Sequence, residues 1–401
     1  MAIVRCGQCE KEFSQNEVSV TTRGVLCDAC KQNPDRTASD HPVQQATALR
    51  TAPVPAHHQF EFSGTGSEYF RIWIVNLFLS VVTLGIYSAW AKVRKNQYFY
   101  RNMRVAGSSF DYHGNPVAIL KGRGIAVVLL LGFKYAPSIH MALYFAVLAI
   151  FLGVFPWLLA RSFAFRLHNS SWRSIRFRFH GAVTQTAKVL YGYGILVPLS
   201  LGICYPLLYQ RIRAFFYNNA AFGQTRARLR IGAGPVYSVF IRTAGVSLAL
   251  FIVISIILSI LFIITFIVDR TAARSIAGFH VGKFVLMSLP LYGFFFFTVY
   301  PFFQASMTNL LWNNIGLGSA AFKSTQGALR LAGILAGNAI LTLVTLGFYW
   351  PWAAVKLARY RAETMILVAQ DGLDDFAADA ATYITAAGDE ITSAFDVDIS
   401  F

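Results

Sequence analysis

Thr243-Ala-Gly-Val-Ser-Leu-Ala-Leu-Phe-Ile-Val-Ile-Ser-Ile-Ile-Leu-Ser-Ile-Leu-Phe-Ile-Ile-Thr-Phe-Ile-Val268 contains no Asp, Glu, Lys or Arg. About 20 such residues cross a hydrocarbon core of about 30 Å, so this stretch reads as a membrane span. On either side, charge is equally absent from residues 72–91, 141–160, 189–210, 284–322 and 331–355. A shorter run, 124–133, ends at Lys134 before Tyr135-Ala-Pro137. Buried helices of a soluble protein rarely need several uncharged runs of this length. The 401-residue chain is therefore expected to be a mainly α, polytopic helical membrane protein. Its 13% of charged residues is about half the fraction found in soluble domains.

Charge is distributed unevenly between the runs. Residues 69–362 hold 29 Lys and Arg but only two acids, Asp111 and Asp269. Residues 371–401 hold eight acids and no base. Basic loops beside apolar spans mark the cytoplasmic side and attract anionic lipid headgroups. The expected partners are anionic membrane lipids, with no nucleic acid. The acidic tail either folds back on this basic face or is simply solvated.

Short patterns recur between the runs. Phe60-Glu-Phe-Ser-Gly64, Phe110-Asp-Tyr-His-Gly114 and Phe177-Arg-Phe-His-Gly181 alternate aromatic and polar residues before a glycine. Each reads as a short strand entering a turn. Arg226, Arg228 and Arg230 alternate likewise before Gly232, and Phe395–Ile399 alternate near the C-terminus. A second pattern joins an apolar run to Leu-Gly, aromatic residues, Pro or Trp, and then a cation. It occurs at Leu84-Gly85, Leu152-Gly153, Leu201-Gly202 and Leu346-Gly347. A degenerate copy at Val299-Tyr-Pro301 lacks the cation, and Asn102, Asn169, Asn219 and Asn314 follow the first three copies and this one at similar distances. The expected unit is a helix, an interfacial basic segment and a short strand, repeated along the chain. The strands form small cytosolic β elements.

Glu68-Tyr-Phe-Arg-Ile-Trp73, Trp90-Ala-Lys-Val-Arg94, Phe110-Asp-Tyr-His-Gly114-Asn-Pro116 and Tyr349-Trp-Pro-Trp352 resemble the YjgN-like family of bacterial inner-membrane proteins. The resemblance covers roughly residues 58–401. It implies an inner-membrane location and supplies no activity and no catalytic residue.

Residues 1–32 have a different character. Cys6-Gly-Gln-Cys9 and Cys27-Asp-Ala-Cys30 are two C-x2-C knuckles with 17 residues between them. That spacing suits a four-thiolate, structural Zn site in a zinc-ribbon-like module. The alternative, two disulfides, needs an oxidising compartment. Residues 33–59 read as a flexible linker, residues 60–370 as the membrane body and residues 371–401 as an acidic tail with a terminal strand. Met1–Phe13 lacks the continuous apolar core of a secretory leader, so insertion is expected to rely on the first apolar run.

Two topologies compete. Seven ordinary spans divide the loop cations 19 to 9 and place the cysteine module outside the cytosol. If 72–91, 189–210 and 331–355 dip in and return, the division becomes 24 to 4, with both termini cytoplasmic. Re-entrant backbone is tolerated where protein buries it.

No catalytic constellation stands out, so an enzyme is disfavoured. Arg94, Arg161, Arg211 and Lys356 end four of the runs and are candidate anion-binding residues; plain interfacial anchoring is the competing reading. Asn76 and Asn338 are polar groups inside apolar runs, serving as helix glue or as part of a solute pathway. His113 and His180 hold matching places in two strands. The expected function is transport or handling of an anionic solute or lipid. The alternative is a scaffold that recruits a protein partner through the zinc ribbon and strands.

Overall fold

The computed structural model describes residues 56–271 and 279–369, together with the strand residues 3–5, 12–14, 18–21 and 24–27. The chain divides into two units, Met1–Val54 and Pro55–Phe401. In the first unit, β1 (Ile3–Arg5) pairs with β2 (Glu12–Ser14), and β3 (Val18–Thr21) with β4 (Gly24–Cys27), all antiparallel. Cys27 closes β4 opposite Val18. Cys6, Cys9 and Cys30 lie outside the described residues, as do the acidic tail and its expected terminal strand.

The larger unit carries one eleven-stranded sheet, larger than the small β elements expected from the sequence but in keeping with the pairing that lone strands require. Its strands are β5 (Ala56–Gln59), β6 (Glu61–Phe62), β7 (Met103–Val105), β8 (Ser108–Tyr112), β9 (Ser170–Trp172), β10 (Ile175–Phe179), β11 (Ala220–Phe222), β12 (Thr225–Leu229), β13 (Ile315–Leu317), β14 (Ala320–Ser324) and β15 (Met365–Ala369). Their order is β5-β15-β14-β13-β12-β11-β10-β9-β8-β7-β6. The two edges, β5 and β6, are consecutive in the chain and separated only by Phe60, so the ends of the sheet meet and it forms a near-barrel. Near-closure leaves little exposed edge. It also draws Ala56–Gln59 out of the segment read as linker.

Four two-residue hairpins build most of this barrel. The turns are Ala106-Gly107, Arg173-Ser174, Gly223-Gln224 and Gly318-Ser319. The first two have positive φ at both central residues, the twist that suits a two-residue hairpin. The fifth pair has no turn. It joins the first and last strands, with Ala56 opposite Ala369 and Gln59 opposite Ile366.

A helical segment leaves each strand pair and returns to the neighbouring strand. The segments are α1 (Gly66–Val82) with α2 (Ser88–Arg101); α3 (Pro116–Ile139) with α4 (Met141–His168); α5 (Val183–Gly194), α6 (Leu196–Leu199) and α7 (Tyr205–Asn218); α8 (Ala233–Thr271) with α9 (Phe279–Trp312); and α10 (Ala328–Val344) with α11 (Trp350–Glu363). All five therefore rise from the barrel end opposite the hairpin turns.

The returning joints share one chemistry. The side-chain amides of Asn102, Asn169, Asn219 and Asn314 donate to the carbonyls of Tyr98, Phe165, Phe215 and Leu310 at 2.7–2.8 Å. Thr364 Oγ1 does the same to Tyr360 at 2.9 Å. These side chains occupy carbonyls that a helix end leaves unpaired. The carbonyls of the same five residues accept from the backbone N–H groups of Ser63, His113, His180, Arg230 and Thr325 at 2.8–3.0 Å. One residue thus ends a helix and fastens two strands.

The glycine that closes each aromatic pentapeptide has a steric cause. A Cβ at Gly64, Gly114 or Gly181 would fall within 3.0 Å of the ring of Phe62, Tyr112 or Phe179, two residues earlier. At Gly232 and Gly327 the residue two earlier is Arg230 or Thr325, and no such clash exists. Phe60, Phe62, Trp172, Ile175, Phe222 and Leu367 form one buried cluster from strands around the ring. At about 25 cal/mol per Å² of apolar surface removed from water, such a cluster stabilises the barrel substantially.

Among the described residues, Pro116–Ile139, Met141–His168 and Ala233–Ile264 are long and apolar enough to cross a membrane. Pro116 at the first turn and the Asn115 side chain, which accepts from Val117 N–H at 2.9 Å, start the first of them. Its helix continues through Pro137 to Ile139, past the break expected there. The runs at 72–91, 189–210 and 331–355 behave differently. Each reverses at Leu84-Gly85, Leu201-Gly202 or Leu346-Gly347, with φ of 50° on the leucine and 90–95° on the glycine. The reversal is held by Gly85, Gly202 and Gly347 N–H donating to Ser80, Val197 and Thr342 carbonyls at 2.7–2.8 Å.

This connectivity excludes seven crossings. That count places 92–123 and 210–242 on opposite sides, yet both segments contribute strands to one hydrogen-bonded sheet. Strands of one sheet cannot sit on both sides of a bilayer, because unpaired backbone in hydrocarbon is prohibitively costly.

Candidate functional site

An apolar groove of about 770 Å³ runs along the α10–α11 pair, walled by α9 and α2. Leu346, Gly347 and Trp350 form its far end, and Phe297, Tyr300, Leu335 and Ala354 line its length. Phe99 and Arg361 lie at the barrel end, and Lys95 lies one helical turn before Phe99, toward the middle of the groove. Trp350 to Arg361 is eleven residues of helix, about 16 Å at 1.5 Å per residue. A second cavity of about 530 Å³ adjoins it, sharing Phe99 and Arg361. This one is more polar, with Gln304, Thr308 and Gln326 beside Phe60, Met103 and Phe110. It sits where the helices meet the barrel.

The local fold explains how these side chains come together. Arg361 lies three residues before Thr364, which caps α11. The residues three before the other caps are Phe99, Arg166, Phe216 and Leu311. Phe216 and Leu311 are buried core residues, whereas Arg166 is exposed and lies over the Phe163 ring. Arg361 stands in the same helical place as Phe99, and both face the cavities. It remains accessible because it faces void, and among the described residues it makes no ion pair.

Gln326 is pinned by its backbone. Its N–H donates to Asn309 Oδ1 at 2.8 Å, and its carbonyl accepts from Asn309 Nδ2 at 2.9 Å. Its side chain is 7% exposed, with an amide oxygen that has no partner. Asn338 is equally buried. Its Nδ2 donates to the Ala353 carbonyl at 3.2 Å, tying α10 to α11, and its Oδ1 is unpaired. Buried acceptors without partners are uncommon and each calls for an explanation.

The residues singled out from sequence are placed as follows. Asn338 lines the groove. Asn76 is buried in α1, also with an unpaired Oδ1. Arg94, Arg161, Arg211 and Lys356 are all exposed and lie on α2, α4, α7 and α11. Arg94 stacks over Tyr87 and Arg211 over Tyr193. Arg94 lines a polar cleft with Arg71, Gln97 and Arg101, apart from the other three. Cys27 ends a strand, and among the described residues no cluster of metal-binding side chains occurs.

Sequence reasoning passed over Lys95, Gln304, Gln326 and Arg361. A signal for Arg361 existed: aligning Trp90 with Trp352 sets Arg361 beside Phe99, a cation where its counterpart is aromatic.

The outer face of the barrel is basic. Arg226 and Arg228 alternate with buried Ala227 and Leu229, and Arg176 and Lys323 are exposed on neighbouring strands. Burial pushes the Asp111 carboxyl up, but hydrogen bonds from Arg101 and Tyr112 N–H and the charges of Arg101 and His113 leave it below its usual value. His180 is held below its usual value by burial and by Arg226 and Arg178. His113 Nε2 meets Ser171 Oγ at 2.9 Å.

Inner membrane protein YjgN of Salmonella typhimurium (strain LT2) is 19% identical over 345 residues, covering 77% of this chain and 87% of the relative. Its namesake in Escherichia coli O157:H7 is 30% identical over 158 residues, 39% of each chain. That of Escherichia coli K12 is 27% identical over 226 residues, 46% of this chain and 55% of the relative. No solved structure matches. These relatives and the long apolar helices support an inner-membrane location. The family described as "Bacterial protein of unknown function (DUF898)" matches residues 57–394, and the chain, an inner-membrane protein, belongs to that family.

Proposed function

We propose that this protein handles an anionic lipid or similar amphipathic anion, with the barrel on the cytoplasmic side. The observation that carries this reading is the apolar groove that ends at Arg361, with Lys95 on its wall. An apolar trough with a cation at one end suits an acyl chain and an acidic headgroup. The sidedness is supported by the loop cations, 24 of which fall on the barrel side and 4 on the other. Exposed Arg94, Arg161, Arg211 and Lys356 would attract anionic headgroups toward the helices. The five joints, with their shared cap, would be variants of one repeated unit. In the N-terminal module, Cys6, Cys9, Cys27 and Cys30 would hold a structural zinc ion.

Native mass spectrometry of the detergent-extracted chain tests the reading by counting retained lipid. At least one bound lipid is expected. A chain that carries none, even after addition of phosphatidylglycerol, overturns the proposal. Changing Arg94, Arg161, Arg211 and Lys356 together to Gln is expected to weaken the preference for anionic over neutral lipid.

A second reading, a scaffold recruiting a protein partner, rests on the paired C-x2-C knuckles. Deleting residues 1–50 separates the two: a scaffold loses its cellular role, whereas lipid handling persists.

A further inference from the structure

We infer that the groove and its adjoining cavity form one composite site for an anionic glycerolipid, with the phosphate on Arg361 and a headgroup hydroxyl on Gln326. The inference rests on the lipid-handling reading and gives that reading an address and a ligand class.

Three observations converge on it. The groove points away from the barrel along α10 and α11, so an acyl chain in it would run toward the hydrocarbon as in an ordinary leaflet. Arg361 is shared by both cavities, the place where a chain would end and a headgroup begin. A guanidinium offers five donors in a planar fork and binds phosphate through two of them at once. Lys95, one helical turn before Phe99 on α2, adds a second positive charge to the groove wall.

The second cavity separates a glycerolipid from a simple fatty acid. Its volume of about 530 Å³ lies beyond Arg361, on the barrel side. A carboxylate on Arg361 would leave that space unused. Gln326 lines that space, and its side-chain amide is nine-tenths buried with an oxygen that has no donor. An unmet acceptor in a low-dielectric site carries a penalty that a ligand hydroxyl would remove. Phosphate and hydroxyl together describe a phosphoglycerol headgroup. Gln304 and Thr308 line the same space and offer further hydrogen bonds.

Arg361 also departs from its surroundings. Phe99, Phe216 and Leu311 show that apolar side chains satisfy this helical position. Arg166 is the other cation in this place and lies over the Phe163 ring. Arg361 instead faces the cavities with no ion pair among the described residues, and departures from a local pattern concentrate at functional sites.

The test uses the full-length chain in detergent micelles, with bound lipid counted by native mass spectrometry. Phosphatidylglycerol, phosphatidylcholine and palmitate are added separately. The wild type is expected to retain phosphatidylglycerol about tenfold over phosphatidylcholine, since one lost charge-assisted contact is worth about that factor. Arg361→Gln is expected to abolish the preference, and Arg361→Lys to keep part of it. Gln326→Leu is expected to lower phosphatidylglycerol binding and leave palmitate unchanged. Ala354→Phe fills the groove with both polar residues intact and is expected to displace every acyl ligand. It guards against a fold defect at Arg361, as does the thermal midpoint of each variant.

A preference untouched by Arg361→Gln overturns this inference and leaves the broader reading standing, whereas lipid bound without charge preference overturns both. Palmitate retained in place of phosphatidylglycerol overturns the headgroup assignment. No lipid of any kind overturns both.

Discussion

The α8–α9 and α10–α11 pairs leave adjacent parts of one barrel and return to it, yet they differ in reach. The first has helices of 39 and 34 residues, the second of 17 and 14. At 1.5 Å per residue the long helices extend about 50–60 Å and the short ones about 20–25 Å. Only the long pair exceeds a hydrocarbon core of about 30 Å. The short pair turns at Leu346-Gly347, the same positive-φ reversal found at Leu84-Gly85 and Leu201-Gly202. The Leu-Gly dipeptide alone does not decide whether an apolar run crosses or turns back, because Leu152-Gly153 stays helical inside α4; the backbone reversal does. The groove lies on a pair that turns back, where backbone and side chains can face a cavity rather than only lipid.

The sharpest way to break this contrast is by chemical access. In a background with the five native cysteines changed to Ser, Met141→Cys sits at the far end of α3–α4 and Leu201→Cys at a short-pair reversal. An impermeant thiol reagent on intact cells is expected to label Met141→Cys fully and Leu201→Cys not at all. Gln224→Cys, in a barrel turn, is expected to react only after lysis. Labelling of Leu201→Cys in intact cells would make that run an ordinary span.

One substitution with opposite outcomes sharpens the contrast further. Gly347→Ala puts a Cβ on a residue with φ of +95°, at an expected cost of about 1–3 kcal/mol. Gly153→Ala, inside α4 with open space around it, is expected to stabilise by up to about 1 kcal/mol. Thermal midpoints in detergent should therefore move in opposite directions.

The joints are common to both kinds of pair, so their effects should match. Asn169→Ala and Asn219→Ala are each expected to cost about 1 kcal/mol, the worth of one partly buried hydrogen bond. Unequal losses in denaturant midpoint would show that long and short pairs lean on their joints differently.

The smallest effect concerns pH. The imidazole of His180 is depressed in the folded chain, so the folded state takes up its proton later than the unfolded state. Stability present above about pH 6.5 is then lost as the pH falls toward the folded value. His180→Gln is expected to flatten that part of the stability profile, read as the midpoint shift between pH 7.5 and 5.5.

Helices were legible in the sequence because a charge-free run of 20 residues has few alternatives. The strands were legible one at a time, through aromatic alternation before Gly64, Gly114 and Gly181. Their assembly into a near-closed ring was hidden, since Ala227, Leu229 and Ser324 replace aromatics in two positions and Gln59 meets Ile366 across the whole chain. Asn102, Asn169, Asn219 and Asn314 were visible as a recurrence, but their double duty needed coordinates. Arg361 was obscured by the many other cations at helix ends, where a favourable interaction with the helix dipole already accounts for a basic residue.

The pairing of β5 with β15 sets the order in which the molecule can be completed on the ribosome. Gln59 Nε2 donates to the Glu363 carbonyl at 2.9 Å across 304 residues. Closing so long a loop costs about 5 kcal/mol in chain entropy, and the first strand must wait for the last to be translated. Until then β5 and β14 are open edges, ready to pair with another chain. A nascent chain stalled before residue 365 is thus a template for aggregation. Conversely, a circular permutant of the larger unit, with Ala369 linked to Ala56 and new termini in the Gly318-Ser319 turn, would keep every ladder of the eleven-stranded sheet. It would also move the waiting strand to a different place in the reading frame.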